Sequence, residues 1–184
     1  MKKIALLLLI ASQFSSSQKI EKLKLDLTPP SKVSFDDFKA LVNEVESHRA
    51  ERLINLDEFL KMSQQENVVI LDTRSDSRFE QKHIKGSIHL DFTDFTQKNL
   101  RDLIPDTTTK ILIYCNNNFD KDPIHFATKA VIPAKENNLA LALNIPTYIN
   151  LYGYGYMNVY ELSELVDIND KRIEFEGTAV RIND

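Results

Sequence analysis

Two continuous apolar segments in the middle of the chain are each followed by polar residues that carry chemical groups. They are VVIL and ILIYC, and polar residues follow each one directly. A short apolar run bounded by polar residues is typical of a strand buried on both faces, as in a parallel sheet. Apolar residues at helical spacing precede them in SFDDFKALVNEVESH, where Ser34 is a suitable N-cap residue, so this stretch predicts an amphipathic helix.

Strands and helices are predicted to alternate along the rest of the chain. RLINLDEFLKMSQQ predicts a short strand and a helix capped by Asn55, SDSRFEQKH a short helix, GSIHL a brief strand, and DFTDFTQKNLRDLI a helix that Pro105 ends. YINLY predicts a third strand, MNVYELSELVD a last helix, and KRIEFEGTAVRIND a charged end with at most one strand. We therefore expect an α/β fold of three layers, with a mostly parallel central sheet and helices on both faces.

The beginning of the chain has the pattern of a secretory signal peptide. MKK is positively charged, IALLLLIA is an apolar run too short to span a bilayer, and small polar residues follow. We expect a signal peptide over residues 1–18, a lead-in over 19–33, one domain over 34–176 with its core at 50–167, and a tail over 177–184. The mature protein is then expected to be periplasmic or secreted, with no membrane attachment after cleavage.

Composition and charge narrow the class of protein. A hydrophobic content of 42% and a charged content of 27% are typical of a soluble globular domain. Loss of Lys2 and Lys3 with the signal peptide changes the formal charge from −4 to −6. A mildly acidic domain is a poor partner for nucleic acids or anionic membranes, so neither is expected.

Cysteine usage singles out one candidate for chemistry. Cys115 is the only cysteine of the chain and stands where the second apolar segment ends. A lone thiol in an exported protein forms no internal disulfide, so it is either buried and inert or kept for its reactivity. Its position at the carboxyl edge of the predicted sheet, where ligands of such sheets bind, favours reactivity.

The residues after Cys115 are suited to stabilising negative charge. Asn116, Asn117 and Asn118 tolerate left-handed and bridge backbone angles, in which successive N–H groups form an anion-binding nest. Asp122 and Pro123 are typical of an N-cap and a first helical position. The positive end of such a helix would face the thiol and favour its thiolate form.

The segment LDTRSDSRFEQKHIKGSIHLDF resembles the signature of the rhodanese family. Family members have an apolar strand ending in Asp-x-Arg, a short helix and then His-Ile-x-Gly-Ala/Ser. The matching residues here are Asp72, Arg74, His83, Ile84, Gly86 and Ser87. The strand that ends at the catalytic cysteine is matched by ILIYC, and the strand, glycine turn and last helix by YINLYGYGYMNVYEL. The resemblance covers residues 50 to 167.

The resemblance implies a sulfurtransferase of the rhodanese type. Cys115 would take up a sulfane sulfur as a persulfide and pass it to a nucleophile, either a small thiol or a protein. The active-site and anion-binding loop would comprise Asn116, Asn117, Asn118, Phe119, Asp120 and Lys121. Asp72 and Arg74 would brace that loop, and His83 would pack in a turn rather than act as a base. No cofactor and no metal is expected.

The sequence departs from the family pattern after the cysteine. Family members have a compact loop, often with an arginine or serine near its end, and one helix directly after it. Here 28 residues separate Cys115 from Asn144, where that helix is expected to end, and Pro133 is expected to split it. Only Lys121 supplies a positive charge to the loop, which puts thiosulfate in doubt as the donor. The tyrosine-rich turn YGYGYMNVY is expected to border the same loop, either as an aromatic wall or as packing for the last helix.

Two other functions remain open. A non-catalytic module of the same fold would bind a partner or an anion and use Cys115 as a redox sensor, or not at all. Phosphatase-like or arsenate-reductase-like chemistry is disfavoured because no arginine follows the cysteine to hold an oxyanion bidentately. The histidines have no metal-ligand spacing, and His125 is expected to be an ordinary surface residue.

Overall fold

The computed structural model describes residues 31–128, 131–132, 139–140 and 142–180. The chain divides into two compact units, residues 1–38 and 39–184, and helix α1 (Phe35–Ala50) begins in the first and ends in the second. Within the first unit, Ser34 Oγ accepts a hydrogen bond from the Asp37 backbone N–H at 3.2 Å, which confirms the predicted N-cap. The expected signal peptide lies outside the described residues, and the domain boundaries stay a prediction.

The second unit follows the predicted alternation along most of its length. Its elements are β1 (Leu53–Ile54), α2 (Leu56–Ser63), β2 (Val68–Asp72), α3 (Asp76–Gln81), β3 (His83–Ile84), β4 (Ile88–His89), α4 (Gln97–Leu103), β5 (Lys110–Tyr114), β6 (Phe119–Asp120), β7 (Val131–Ile132), β8 (Leu139–Ala140), α5 (Asn144–Gly153), β9 (Val159–Leu162), β10 (Val166–Asp167) and β11 (Phe175–Glu176). Two 3-10 turns, Phe92–Asp94 and Asn116–Asn118, precede α4 and β6.

The central sheet has five strands in the order β1-β9-β5-β2-β4, and every pair in it is parallel. The two apolar segments of the sequence are its inner neighbours β2 and β5, paired with Ile70 opposite Leu112. The parallel sheet expected from the sequence is confirmed. The carboxyl ends of these strands lie on one edge, where loops can bring side chains together.

Alternation along β5 divides the core between the two faces of the sheet. Ile111 and Ile113 pack into one cluster with side chains from α1, α4 and α5. Leu112 and Tyr114 pack into the other with side chains from α2 and from the segments around β6 and β10. Helices therefore cover both faces, and the expected three-layer arrangement is confirmed.

The second helix shows how local sequence sets an element's limits. Asn55 Oδ1 accepts a hydrogen bond from the Glu58 N–H at 2.8 Å, and Glu58 Oε2 accepts one from the Asn55 N–H at 3.4 Å. This reciprocal pair satisfies two backbone donors that a helix start leaves without partners. Leu56 and Phe59 of α2 are fully buried, as its apolar spacing predicts.

The end of the predicted sheet differs from the sequence-based prediction. The segment containing YINLY is helix α5, not a strand, and the segment containing MNVYELSELVD forms strands β9 and β10, not a helix. Aromatic and β-branched residues favour a strand locally, but Tyr148 and Leu151 are one helical turn apart and both pack onto the sheet. Pro146 is tolerated because it lies in the first turn of α5, where no N–H is needed.

The segment between the cysteine and α5 also differs from the prediction. Asp122 caps a single turn rather than a helix: its backbone oxygen accepts the Phe126 N–H at 2.9 Å, and no described residue continues the helix. Further on, β7 and β8 pair antiparallel, so two halves of a split helix are not found there. Pro133 lies outside the described residues. Asn144 begins a helix instead of ending one, so the extra length lies before the helix.

None of the described helices is both long and apolar enough to cross a membrane.

Leu112 offers a test of this packing because it is fully buried at the centre of the sheet. We expect Leu112→Ala to lower the free energy of unfolding by about 2–5 kcal/mol, through lost burial and a residual cavity. Urea denaturation followed by circular dichroism measures the change. Leu165→Ala removes the same atoms from a side chain that is 68% exposed, and is expected to change stability by about 0.5 kcal/mol or less. Equal losses in both variants would contradict the described core.

Candidate active site

Cys115 lies directly after β5, which stands between β2 and β9 in the sheet. The cysteine is a free thiol and its side chain is only 1% exposed. The strand thus delivers the thiol to the carboxyl edge of the sheet, as the apolar pattern predicts, but beneath the loops of that edge rather than on their surface.

Helix α5 supplies the hydrogen bond to this thiol. The backbone N–H of Leu143, the N-cap residue of α5, donates to Cys115 Sγ at 3.3 Å across 28 residues of sequence. The prediction that a helix starting at Asp122 faces the thiol is therefore wrong, and the start of α5 lies there instead. The aligned peptide dipoles of the helix favour negative charge on the sulfur.

The three asparagines form a 3-10 turn that is tied to the backbone around it. Asn118 Oδ1 accepts the Cys115 N–H at 2.9 Å, and Asn118 Nδ2 donates to the Leu162 oxygen at 2.7 Å. The Asn118 N–H donates to the Cys115 oxygen at 3.0 Å. None of the three has a positive φ, so the left-handed nest predicted from the sequence is not formed by them. The turn instead fixes the cysteine to the end of β9.

The remaining residues of the predicted loop point to other parts of the fold. Phe119 is buried among aromatic rings, with Phe126 4.5 Å away between ring centres. Strand β6 pairs with β10, and Lys121 Nζ lies 2.5 Å from Asp167 Oδ2 at the surface. Phe119, Asp120 and Lys121 therefore make their contacts with other parts of the fold, and the charge of Lys121 is paired with Asp167.

Asp72 and Arg74 form a buried ion pair at the end of β2. The Arg74 Nε donates to both Asp72 oxygens at 3.0 Å, and Nη2 donates to Asp72 Oδ2 at 2.7 Å. Both residues are at most 1% exposed. Burial by itself would lower the pKa of Arg74, but the hydrogen bonds and charge of Asp72 outweigh it, and the pKa is raised. The pair is thus charged on both sides.

Arg74 also joins two separate segments of backbone to the cysteine turn. Its guanidinium donates to the Lys82 oxygen at 2.7 Å, to the His125 oxygen at 3.2 Å and to Asn116 Oδ1 at 3.4 Å. It also lies over the Phe126 ring, 4.4 Å from the ring centre. These are the contacts of a side chain that positions a loop.

Tyr114 is a member of this network that sequence reasoning did not identify. Its hydroxyl donates to Asp72 Oδ2 at 2.5 Å and accepts the Ile84 N–H at 3.1 Å. Burial, and then the negative charge of Asp72, raise the pKa of Tyr114 well above its usual value. The hydroxyl therefore stays protonated and available to donate. The only signal in the sequence is its place just before the cysteine on a strand beside Asp72.

The histidines near the site have structural contacts. His83 stacks on Phe79, and its ring nitrogens lie 2.6 Å from the Phe79 oxygen and 3.1 Å from Glu176 Oε1. His125 Nδ1 is 2.9 Å from Asp122 Oδ1. Burial would raise the pKa of Asp122, but hydrogen bonds from Lys82 and His125 lower it. Among the described residues no cluster of side chains suits a metal ion.

A cavity of about 560 Å³ adjoins the cysteine. Its described lining is Arg74, Ser75, Arg78, Asp91, Phe92, Thr93, Asn116, Ala127, Thr128 and Leu143. Two of these residues flank the thiol: Asn116 follows it in the chain and Leu143 hydrogen-bonds to it. Arg78 and Asp91 were not identified from the sequence, because they lie on segments that only the fold brings beside the cysteine.

The tyrosine-rich turn lies at the other edge of the sheet. Helix α5 begins at the cysteine and runs ten residues away from it, to Gly153. Strand β9 then starts with Val159 opposite Ile111, at the beginning of β5. Hence the turn does not border the cysteine loop. A tyrosine of this turn has a structural contact: the Tyr156 hydroxyl donates a hydrogen bond to the Ile104 backbone oxygen at 2.6 Å.

Comparison with known proteins agrees with the resemblance in the sequence. The family model for the rhodanese-like domain matches residues 55–164, more than half of the chain. The chain belongs to the rhodanese-like domain family. No curated protein matches it in a sequence search.

Two solved structures are among those similar to this chain. A rhodanese with anions from E. coli has 15% sequence identity and a TM-score of 0.37, with 60% of this chain and 98% of that chain covered. The BH2092 protein from Bacillus halodurans has 16% identity and a TM-score of 0.44, with 74% of this chain and 87% of that chain covered.

Arg74 is the residue whose replacement should disturb this network most. We expect Arg74→Met to lower the free energy of unfolding by about 3–5 kcal/mol, because it leaves the Asp72 carboxylate buried and unpaired. Thermal and urea unfolding measure the loss. Arg101→Met, at an exposed position of α4, is the matched control and should change stability by about 0.5 kcal/mol or less. A small effect of Arg74→Met would show that the pair is not the brace described.

Proposed function

We propose that the protein is a rhodanese-type sulfurtransferase, which moves a sulfane sulfur through a persulfide on Cys115 to a nucleophilic acceptor. The observation that supports it most directly is the hydrogen bond from the Leu143 N–H to Cys115 Sγ at the start of α5, beside a cavity. Family membership supports the same chemistry, but many rhodanese-like domains are non-catalytic, so the arrangement of the cysteine carries the proposal.

The proposed cycle has two displacement steps. The Cys115 thiolate attacks the sulfane sulfur of a donor, the new bond joins the two sulfurs, and the donor leaves with the electron pair of its broken sulfur bond. From thiosulfate the leaving group is sulfite, and from a persulfide it is a thiolate. A thiol or cyanide then attacks the outer sulfur, and the Cys115 thiolate is restored. No external oxidant or reductant is needed in either step.

The surroundings of the cysteine suit a sulfur that stays anionic through the cycle. The Leu143 N–H and the start of α5 favour negative charge on Sγ and on a persulfide. The Asp72–Arg74 pair holds the turn through Asn116, so the sulfur keeps its position while its bonding partner changes. We assign Asp72, Arg74 and Tyr114 to positioning rather than to contact with substrate.

A second function is favoured by one observation, the burial of the thiol. At 1% exposure, Cys115 offers almost no surface to a sulfur donor. A non-catalytic module that binds a partner through another part of its surface has no need of an accessible thiol. This alternative predicts that sulfur donors leave the thiol unmodified.

We propose the cellular location of the protein from its sequence alone. The MKKIALLLLIA segment supports export to the periplasm or to the exterior. The acceptor would then be a small thiol or a protein in that compartment.

Intact mass spectrometry tests the sulfurtransferase. The reduced mature protein is treated with thiosulfate, or separately with an inorganic polysulfide, and then with cyanide. We expect a gain of one sulfur atom, its loss after cyanide with release of thiocyanate, and no gain in Cys115→Ser. Circular dichroism of Cys115→Ser controls for folding.

Alkylation of Cys115 by iodoacetamide separates the two candidates. A protein that is alkylated but gains no sulfur from either donor has an accessible thiol without sulfur chemistry, and that result would support the non-catalytic module. A protein that gains sulfur only from polysulfide remains a sulfurtransferase, with thiosulfate excluded as its donor.

A further inference from the structure

Besides Arg74, the described lining of the cavity beside Cys115 contains one positive and one negative side chain, and these two are not paired with each other. Arg78 lies on α3, and Asp91 lies two residues after β4, at the carboxyl edge of the sheet. Salt bridges formed by the described residues involve neither of these two side chains. Both charges are therefore available to a ligand in the same cavity.

Each of the two side chains is held in place by neutral groups. Arg78 Nη1 donates to the Ile124 oxygen, and no other hydrogen bond of its guanidinium is found among the described residues. Asp91 Oδ1 accepts the Thr93 N–H at 2.8 Å and the Thr93 hydroxyl at 3.0 Å. The Thr93 N–H is the largest of the influences that lower the pKa of Asp91, so its carboxylate is ionised at neutral pH.

The rest of the described lining adds no net charge. Arg74 is neutralised by Asp72, to which its side chain donates hydrogen bonds of 3.0, 3.0 and 2.7 Å. Phe92, Ala127 and Leu143 are apolar, and the other lining residues are neutral and polar. A dianion such as thiosulfate gains little from a cavity in which Asp91 offsets Arg78. A ligand with one charge of each sign is complementary to both.

We infer that this cavity takes a small zwitterionic persulfide of the amino-acid type, with its carboxylate at Arg78, its ammonium group at Asp91 and its outer sulfur toward Cys115. This inference rests on the proposed sulfurtransferase function and names its donor class. A cavity of about 560 Å³ is in the range of small-molecule sites and larger than thiosulfate requires.

Sulfur transfer from such a donor to Cys115 is balanced in atoms and in charge. The Cys115 thiolate attacks the outer sulfur of R–S–SH and a new sulfur–sulfur bond forms. The bond between the two donor sulfurs breaks, and its electron pair leaves with the amino-acid thiolate, R–S⁻. The protein is left as the Cys115 persulfide. The outer sulfur keeps its hydrogen, and no further reactant takes part.

Three donors that differ by one charged group test the inference. Cysteine persulfide carries both groups, cysteamine persulfide lacks the carboxylate, and the persulfide of 3-mercaptopropionate lacks the amine. The measurement is the initial rate of Cys115 persulfide formation at low donor concentration, followed by mass spectrometry. For the wild type we expect cysteine persulfide to react about tenfold faster or more than either analogue, since a hydrogen bond to a charged group contributes about that factor.

Two variants assign each preference to its residue. Arg78→Gln should abolish the preference over cysteamine persulfide and keep the preference over the mercaptopropionate donor. Asp91→Asn keeps an oxygen that accepts hydrogen bonds from Thr93. It should abolish the preference over the mercaptopropionate donor and keep the preference over cysteamine persulfide. Arg78→Lys retains the positive charge and should retain the carboxylate preference. Arg101→Gln and Asp94→Asn, at exposed positions, are the charge-matched controls and should leave both preferences at the wild-type value.

The outcomes separate the donor class from the function itself. Persulfide formation at equal rates from all three donors, or preferences that survive both charge-removing variants, would overturn the zwitterion inference and leave the sulfurtransferase intact. Failure of every donor, thiosulfate and polysulfide included, to add sulfur to an alkylatable Cys115 would overturn both. Circular dichroism of each variant shows that the comparison is made between folded proteins.

Discussion

The buried ion pair between Asp72 and Arg74 is the interaction on which the geometry of the candidate site depends. A buried pair adds little net stability, because desolvation of two charges offsets their attraction. Its value here is positional: one guanidinium contacts the end of β2, the Lys82 and His125 backbone, and the turn after the cysteine. The Tyr114 hydroxyl donates to Asp72 from the neighbouring strand, so the two strands that frame the site share one buried polar network.

Helix α5 completes the site from the other direction. Its first turn brings a backbone N–H to the thiol, and the Asn144 Nδ2 beside it donates to the buried Glu161 at 2.6 Å. Glu161 is in turn bound by Arg49 through two hydrogen bonds of 2.6 Å. The start of α5 is therefore anchored to β9 and α1 independently of the long segment that separates it from Cys115. That segment can differ in length from the family pattern without displacing the donor.

The sequence predicted those parts of the fold that depend on local pattern. The apolar runs of β2 and β5, and with them the parallel sheet, were readable because burial on both faces leaves few polar positions in a strand. The Asn55 cap was readable because neighbouring residues alone determine it. The sequence did not show which of the two last segments forms helix α5 and which forms strand β9. Both segments are apolar and aromatic, and only packing against the sheet distinguishes them. Arg78, Asp91 and Leu143 were missed for a related reason: no spacing in the sequence places them near Cys115, and their proximity comes from tertiary structure alone.

The proposed cycle requires that the Leu143 N–H holds the Cys115 sulfur while that sulfur exchanges its bonding partner. A crystal structure of the protein after treatment with polysulfide tests this most directly. We predict electron density for a second sulfur bonded to Cys115 Sγ, in the cavity between Asn116 and Leu143, with the Asp72–Arg74 pair unchanged. An unmodified Sγ, in protein whose thiol is alkylated by iodoacetamide in solution, would contradict the account.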